Sequence, residues 1–467
     1  MNTQINYSLT DLAKLKIHFI GVGGAGMSGI ARIMLAKGFS ISGSDKSESA
    51  MLTSLKALGA EIFVGHAPQN LGDAQMVIIS SAINESNAEL LAAKAKGLPI
   101  IARATALAWL MSESTSVAIA GTHGKTTTTA MLTVALQSAG LDPSFAIGGT
   151  INTAGTNAHS GTGKIFVAEA DESDGSFLAY KPTGAIITNI ELDHVDHFPN
   201  EDAVFAVFEQ FVSSIKQGGF LVACGDDAGV NNLLKRIQRT DLQIYLYGKG
   251  SSNDFRIDKI HLAPKGSSSV VSSTGRKVGE LNLAVAGEHN LLNGLAAFAA
   301  ASALGAVETK VLDGLASFTG TKRRFELKGE VGGVKVIDDY GHHPTEVKVT
   351  LTTAKNLAQA GRVIVIFQPH RYSRTAAFAT QFSTSLSLAD FTYLLEVYAA
   401  SEKPLPGVSS LLIAKAMNPQ QVKFEPSMIE VVNEVVAMAK SGDVILTLGA
   451  GDVSSLGEPI LQALANR

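Results

Sequence analysis

The sequence predicts an α/β protein of three domains in series. Three observations carry that expectation. The chain has 467 residues, where a domain typically takes about 100 to 200. Apolar runs of strand length alternate with helix-length segments from end to end, the rhythm of parallel sheets covered by helices. Two different glycine turns each stand directly between a predicted strand and a predicted helix. The first unit, residues 1–112, holds the runs Ile17–Ile20, Phe39–Ser42, Met76–Ser80 and Pro99–Ile101. A polar break, Ser112–Thr115, opens the second unit, residues 113–321, with runs Ser116–Ala120, Lys164–Ala168, Ala185–Thr188 and Phe220–Ala223. From Gln243 to Ala286 short alternating runs and Gly/Ser turns predict a small antiparallel sheet within that unit, and the helix-forming Asn290–Ala301 follows. The third unit, residues 322–467, repeats the rhythm with Lys335–Ile337, Arg362–Phe367, Thr392–Glu396 and Val444–Leu448.

Composition narrows the function. Lys plus Arg number 38 against 42 Asp plus Glu, a formal charge of −4, which is not the basic footprint of a nucleic-acid binder. Small-molecule partners are expected. The single cysteine, Cys224, excludes an internal disulfide framework and a cysteine-based zinc cluster and fits a reducing cytoplasm. Met1–Lys16 shows no basic region followed by an apolar one, and the apolar runs elsewhere break well short of about 18 residues, so no membrane insertion is expected. A monomer or weak dimer is the expected state.

The second glycine turn, Gly121-Thr122-His123-Gly124-Lys125-Thr126-Thr127, ends an apolar strand and starts a helix. Backbone N–H groups at such a turn, backed by the helix dipole, cradle a polyphosphate. Lys125 then reaches the outer phosphates, and a hydroxyl from Thr126 or Thr127 completes the shell of a bridging Mg²⁺. The spacing is shorter than G-x-x-x-x-G-K-[ST], because Ile119 stands where the first glycine would fall. ATP or GTP use is the expectation, in a P-loop ATPase-like domain.

The first turn, Gly21-Val22-Gly23-Gly24-Ala25-Gly26, places G-x-G-x-x-G after a strand and at a helix start, with Asp45 nineteen residues beyond Gly26. This is a Rossmann-like fingerprint. Alone it implies an NAD-linked oxidoreductase with Asp45 on the adenosine ribose, although the same turn holds any nucleotide diphosphate on a helix N-terminus. Two nucleotide loops in tandem suggest that one nucleotide is a handle on a substrate and the other an energy source.

With these turns the chain resembles the bacterial Mur ligases, within them the branch that joins L-alanine to UDP-N-acetylmuramate. The motifs run from end to end in family order: FIGVGGAGMSGIA, AIAGTHGKTTTT, EADESDGSFL, ITNIELDHVDHF, GEHNLLN, TKRRFE, DDYGHHPTEV and FQPHRYSRT. The resemblance implies an N-terminal Rossmann-like domain for the UDP-sugar, using Gly21, Gly23, Gly24, Ala25, Gly26, Asp45 and Ser81. It implies a central ATP domain using Gly121 through Thr127, with Asn290, Asn293, Arg324 and Asp339 also on ATP. A Rossmann-like C-terminal domain is implied for the amino acid, with Tyr340, His342 and His343 beside Arg371 and Arg374 on its α-carboxylate. Lys125, Glu169 and His194 are the implied catalytic residues, and Thr126, Glu169 and His194 the implied Mg²⁺ residues.

The chemistry agrees with the residues. A carboxylate is a poor acyl donor, and transfer of the ATP γ-phosphate to it makes an acyl phosphate, a step that rests on positioning and charge neutralisation. Two arginines three apart at a helix start make a carboxylate clamp. Asp171, Glu172 and Asp174 read either as part of this site or as a solvated acidic turn, and His197 as a packed or surface residue. Some relatives bridge two metal ions with a carbamylated lysine after the histidine motif, but no lysine lies between Lys181 and Lys216. The alternatives are a recycling ligase that attaches a whole peptide, an NAD-dependent oxidoreductase with an accessory phosphate-binding domain, and a nucleotide-gated binding protein without turnover.

Overall fold

The computed structural model describes residues 8–173 and 175–467. The expectation for residues 1–7 and the acidic-turn residue Asp174 lie outside the described residues. Three sheets follow one another along the chain. The first contains β1 (Lys16–Ile20), β2 (Ser40–Asp45), β3 (Glu61–Val64), β4 (Met76–Ile79) and β5 (Ile100–Ala102) in the order β3-β2-β1-β4-β5. Its pairings are all parallel. Ile17, Phe19 and Ile20 of β1 are fully buried, as a central strand covered on both faces requires.

The central sheet has β6 (Thr115–Ala120), β7 (Ser144–Ile151), β8 (Thr156–His159), β9 (Ile165–Glu169), β10 (Gly184–Ile187), β11 (Phe220–Cys224), β12 (Gln243–Gly248), β13 (Phe255–Ala263), β14 (Gly266–Ser273) and β15 (Arg276–Leu283). Their order is β15-β14-β13-β12-β11-β10-β6-β9-β7-β8. The antiparallel strands expected after Gln243 are therefore no separate sheet. They extend the edge of the parallel one, because β12 pairs parallel to both β11 and β13 before the β13-β14-β15 hairpins begin.

The third sheet orders β16 (Glu326–Val331), β17 (Val334–Asp339), β18 (Val363–Phe367), β19 (Phe391–Leu394), β20 (Val422–Phe424) and β21 (Val444–Leu448) as β16-β17-β21-β18-β19-β20. Only the edge pair β16–β17 is antiparallel.

In the first two sheets a glycine turn leaves the strand where connections diverge to either side. β1 lies between β2 and β4, and β6 between β10 and β9. Such a switch point opens a crevice at the strand C-termini, where ligands of α/β proteins bind. The three units touch directly. Asn157 Nδ2, in β8, donates to Ala25 O at 2.8 Å, and Thr345 Oγ1 of the third unit donates to Glu191 Oε2 of the second at 2.6 Å. Among the described residues no helix is long and apolar enough to cross a membrane.

Candidate functional site

The phosphate turn is built by glycine geometry. Gly121 has φ 127° and Gly124 φ 83°, a region that side chains rarely adopt. A Cβ on Gly121 would also lie 2.1 Å from Thr188 Oγ1, and one on Gly124 2.6 Å from Asn293 Oδ1. The helix Lys125–Ser138 starts at once behind them. Lys125 Nζ donates to Gly121 O (2.7 Å), Thr122 O (3.1 Å) and Glu172 Oε1 (2.9 Å). Thr126 Oγ1 donates to Glu169 Oε1 at 2.9 Å, while the other Glu169 oxygen accepts from Gly148 N–H at 2.7 Å. Of the two threonines left open by the sequence, Thr126 thus faces Glu169, and Thr127 lines a separate pocket.

Of the acidic turn's described residues, Asp171 is half-buried and Glu172 buried. Burial pushes the Glu172 carboxyl up to about 7 in spite of Lys125. Burial also raises the neighbouring Asp171, but the Lys125 charge, the hydrogen bonds from Ser173 and the nearby His194 together outweigh it and the net shift is downward. His194 holds a left-handed backbone (φ 51°) that places Nε2 3.9 Å from Glu172 Oε1 and 3.8 Å from Asp193 Oδ2. Burial lowers its pKa, so the ring is neutral near pH 7. His197 is exposed.

Two hollows meet at this turn. A cleft of about 780 Å³ is bordered by Lys125, Thr126, Glu169 and His194 from the second unit, His342, Arg371 and Arg374 from the third, and Ala25 and Met51 from the first. A pocket of about 190 Å³ adjoins it, lined by Thr127, Asn290, Asn293 and Asp339 with His289, Phe325 and Val349. His123, Gly124, Arg324 and Glu346 border both. Asn290 does not cap its helix, which starts at Glu288 after Gly287. Its Nδ2 instead donates to Ala286 O at 2.7 Å. Asp339 accepts from the N–H groups of Phe325 and Gly341, both at 2.8 Å, and burial raises its carboxyl to about 6. Arg324 lies 5.2 Å over the Tyr340 ring and 3.4 Å from Glu346.

Sequence reading named His123 and His343 as ligand-binding residues but missed Glu191 and Glu346 and the junction that the four form between the second and third units. His343 caps the helix Pro344–Ala358, and Glu346 in its first turn completes the capping box. The His123 and His343 rings lie 4.7 Å apart. His123 Nε2 is 3.7 Å from Glu191, and Nδ1 is 3.5 Å from Glu346. Burial alone would lower the His123 pKa, but the two carboxylates outweigh it and raise it to about 9. His123, Glu191 and His343 place potential ligand atoms within 4.8 Å of one another. His342 and His370 are pushed by burial down to about 3 and about 4, and so are neutral.

At the first turn, Asp45 is committed to the turn itself. Its Oδ2 accepts from Gly23 N–H and its Oδ1 from Lys46 N–H, both at 2.8 Å. Gly21 and Val22 donate to Ser44 O at 2.8 and 2.9 Å. The Ser44 hydroxyl is fixed by the buried Glu89, which also binds His66 and Asn70. Ser81 is exposed just past β4, and Ile83 lies against Gly21. Glu89 had no local signature that would have marked it.

Fold and site define a three-domain α/β protein that brings two glycine turns of the nucleotide-binding kind to one large cleft bordered by all three units. Three family models cover the chain in order: the Mur ligase family catalytic domain over residues 16–115, the Mur ligase middle domain over 119–301, and the Mur ligase glutamate ligase domain over 323–451. The chain belongs to the Mur ligase family. It is 50% identical over 463 residues to the UDP-N-acetylmuramate–L-alanine ligase of Renibacterium salmoninarum, covering 99% of this chain and 98% of the relative. The enzyme of the same name from Mycolicibacterium smegmatis is 48% identical, with 96% and 95% covered. Among solved structures, the UDP-N-acetylmuramate-alanine ligase of Thermotoga maritima superposes with a TM-score of 0.81 at 29% identity, over 96% of this chain and 98% of that one. A murein peptide ligase from Psychrobacter arcticus gives 0.73 at 27% identity, over 97% and 99%.

Proposed function

We propose that this protein joins L-alanine to the lactyl carboxylate of UDP-N-acetylmuramate at the expense of ATP, giving UDP-N-acetylmuramoyl-L-alanine, ADP and phosphate for peptidoglycan synthesis. The observation that carries this reading is the meeting of the two hollows at Gly124 and Arg324, next to Lys125. The smaller pocket takes the adenosine, with Asn290, Asn293 and Asp339 on its walls, and the triphosphate runs over Gly121–Thr127 into the cleft. Residues 1–112 hold the UDP-sugar through the Gly21–Gly26 turn, with Asp45 shaping that turn and Ser81 at its rim. Residues 113–321 hold ATP, and residues 322–467 supply the amino-acid site with Tyr340, His342, Arg371 and Arg374 on the cleft wall, while His343, which lines neither hollow, supports it from behind as the helix cap.

The step proceeds in two displacements. A lactyl carboxylate oxygen attacks the γ-phosphorus and ADP leaves, producing an acyl phosphate. The alanine amine, having lost its extra proton, attacks the acyl carbon and phosphate departs with the former carboxylate oxygen. Lys125 and Arg324 neutralise charge that develops on the transferred group. Thr126, Glu169 and His194 would hold a Mg²⁺ ion. A hydroxyl and a carboxylate oxygen are suited to a hard cation, and the orphaned, buried Glu172 Oε2 stands nearby. Mg²⁺ bound there would offset phosphate charge. Contact between the second and third units shields the acyl phosphate from water. A pocket that must tell a methyl group from a hydrogen or hydroxymethyl gains only about 1 to 3 kcal/mol, so glycine and L-serine are slow alternative substrates.

Phosphate release with ATP and Mg²⁺ tests the reading. Release should require both UDP-N-acetylmuramate and L-alanine and should give a product one alanyl residue heavier. Release with a tripeptide but not with alanine would move the protein to the recycling class.

A further inference from the structure

The two arginines expected to clamp the amino acid sit in opposite situations. Arg374 is only 3% exposed. Its Nε and Nη2 both meet Asp193 Oδ1 at 2.9 Å, and its Nη1 faces His370 Nδ1 at 3.3 Å. Asp193 is 4% exposed, and the same oxygen accepts from His194 N–H at 2.6 Å. Arg371 instead has a side chain 31% exposed and pairs with Asp196, whose side chain is 34% exposed, with Glu402 at 4.0 Å as a second neighbour. Its positive φ of 73° is held by its N–H bond to Tyr398 O at 2.8 Å. Both pairs join the third unit to one loop of the second, residues 193–196.

We propose that the arginines divide the work: Arg374 ties the two units together through Asp193, while Arg371 alone exchanges Asp196 for the α-carboxylate of the incoming amino acid. The inference rests on reading the cleft as an amino-acid ligase site. A substrate carboxylate at Arg374 would have to displace one that is already desolvated and doubly bonded, and breaking a buried pair leaves an uncompensated charge. At Arg371 it displaces an exposed partner, and exposed pairs are weak. Asp196 is a built-in stand-in for the substrate carboxylate, and Asp193 is a positioning residue that also fixes the backbone of His194.

The test is alanine saturation of ADP release, at saturating ATP and UDP-sugar, in variants with opposite expected signs. Removing the internal competitor by Asp196→Asn should lower the alanine KM about two- to five-fold, the value of an exposed pair, with kcat within about two-fold. Asp196→Ser is a second, smaller variant at the same exposed position. Asp193→Asn should lower kcat about tenfold or more, and adding Arg374→Gln to it should cost little further, because each partner acts through the other. An unchanged or raised alanine KM in both Asp196 variants overturns the exchange. An Asp193→Asn variant with normal kcat, in which Arg374→Gln still raises the alanine KM, returns Arg374 to the clamp. Failure of the ligase reading looks different, since the unaltered protein would then show no alanine-dependent ADP release.

Discussion

His123 should titrate far above an ordinary histidine, and the cause lies partly in another domain. Its ring stands between Glu191 of the second unit and Glu346 of the third, and the pair raises its pKa from 6.5 to about 9. That difference corresponds to roughly 3 kcal/mol of preference for the protonated ring in the folded protein over the unfolded chain, of which the Glu346 share belongs to the contact between the units. A pKa raised on folding gives a stabilisation fully present below about 6.5 and lost as pH rises through about 9, and the part due to Glu346 is lost from the contact between the units. The contact between the second and third units should therefore loosen across that window. Glu346→Gln keeps the shape of the capping side chain but removes one of the two charges. It should bring His123 down by about one to two units, roughly 1.4 to 2.7 kcal/mol. The assay is an NMR titration of the His123 ring from pH 5.5 to about 10, alongside X-ray scattering to follow compactness. A His123 pKa near its ordinary value in the unaltered protein, or one unmoved by Glu346→Gln, would refute the reasoning.

Other consequences are separable. Lys125→Ala should abolish ADP formation while UDP-sugar binding, measured by calorimetry, stays largely intact; full activity would defeat the ATP assignment. Arg371→Ala should raise the alanine KM about tenfold or more, the value of a charge-assisted hydrogen bond, with little change in the ATP KM. Glu89→Ala strips a buried acceptor from Ser44, His66 and Asn70. It should lower unfolding stability by about 1 to 3 kcal/mol in denaturant titration and weaken UDP-sugar binding through the Ser44 carbonyl that holds Gly21 and Val22. Gly124→Ala, forced to positive φ and against Asn293, should raise the ATP KM at least as much as it lowers stability.

What the sequence made legible follows from how local the cause is. Buried parallel strands such as β18, β21 and, past its exposed Thr115, β6 read directly as apolar runs. The edge strands β3 (EIFV), β16 (ELKGEV) and β20 (VKF) carry no such run, since an edge is only partly covered, and β7 is broken by Gly148 and Gly149. The glycine turns were legible because a strand, a tight turn and a helix are all encoded within a dozen residues. The partners of the charged residues were not. Asp193 meets Arg374, and Glu191 meets Thr345, only through tertiary assembly at separations of 181 and 154 residues. Glu172 read as well as a surface acid as a site residue, because only the fold buries it against Lys125.

The most direct test of the central claim uses UDP-N-acetylmuramate labelled with ¹⁸O in the lactyl carboxylate. With ATP and L-alanine, an acyl-phosphate route predicts that each released phosphate carries one labelled oxygen, since the carboxylate oxygen that attacks phosphorus leaves with it. Unlabelled phosphate accompanying full product formation would contradict the account.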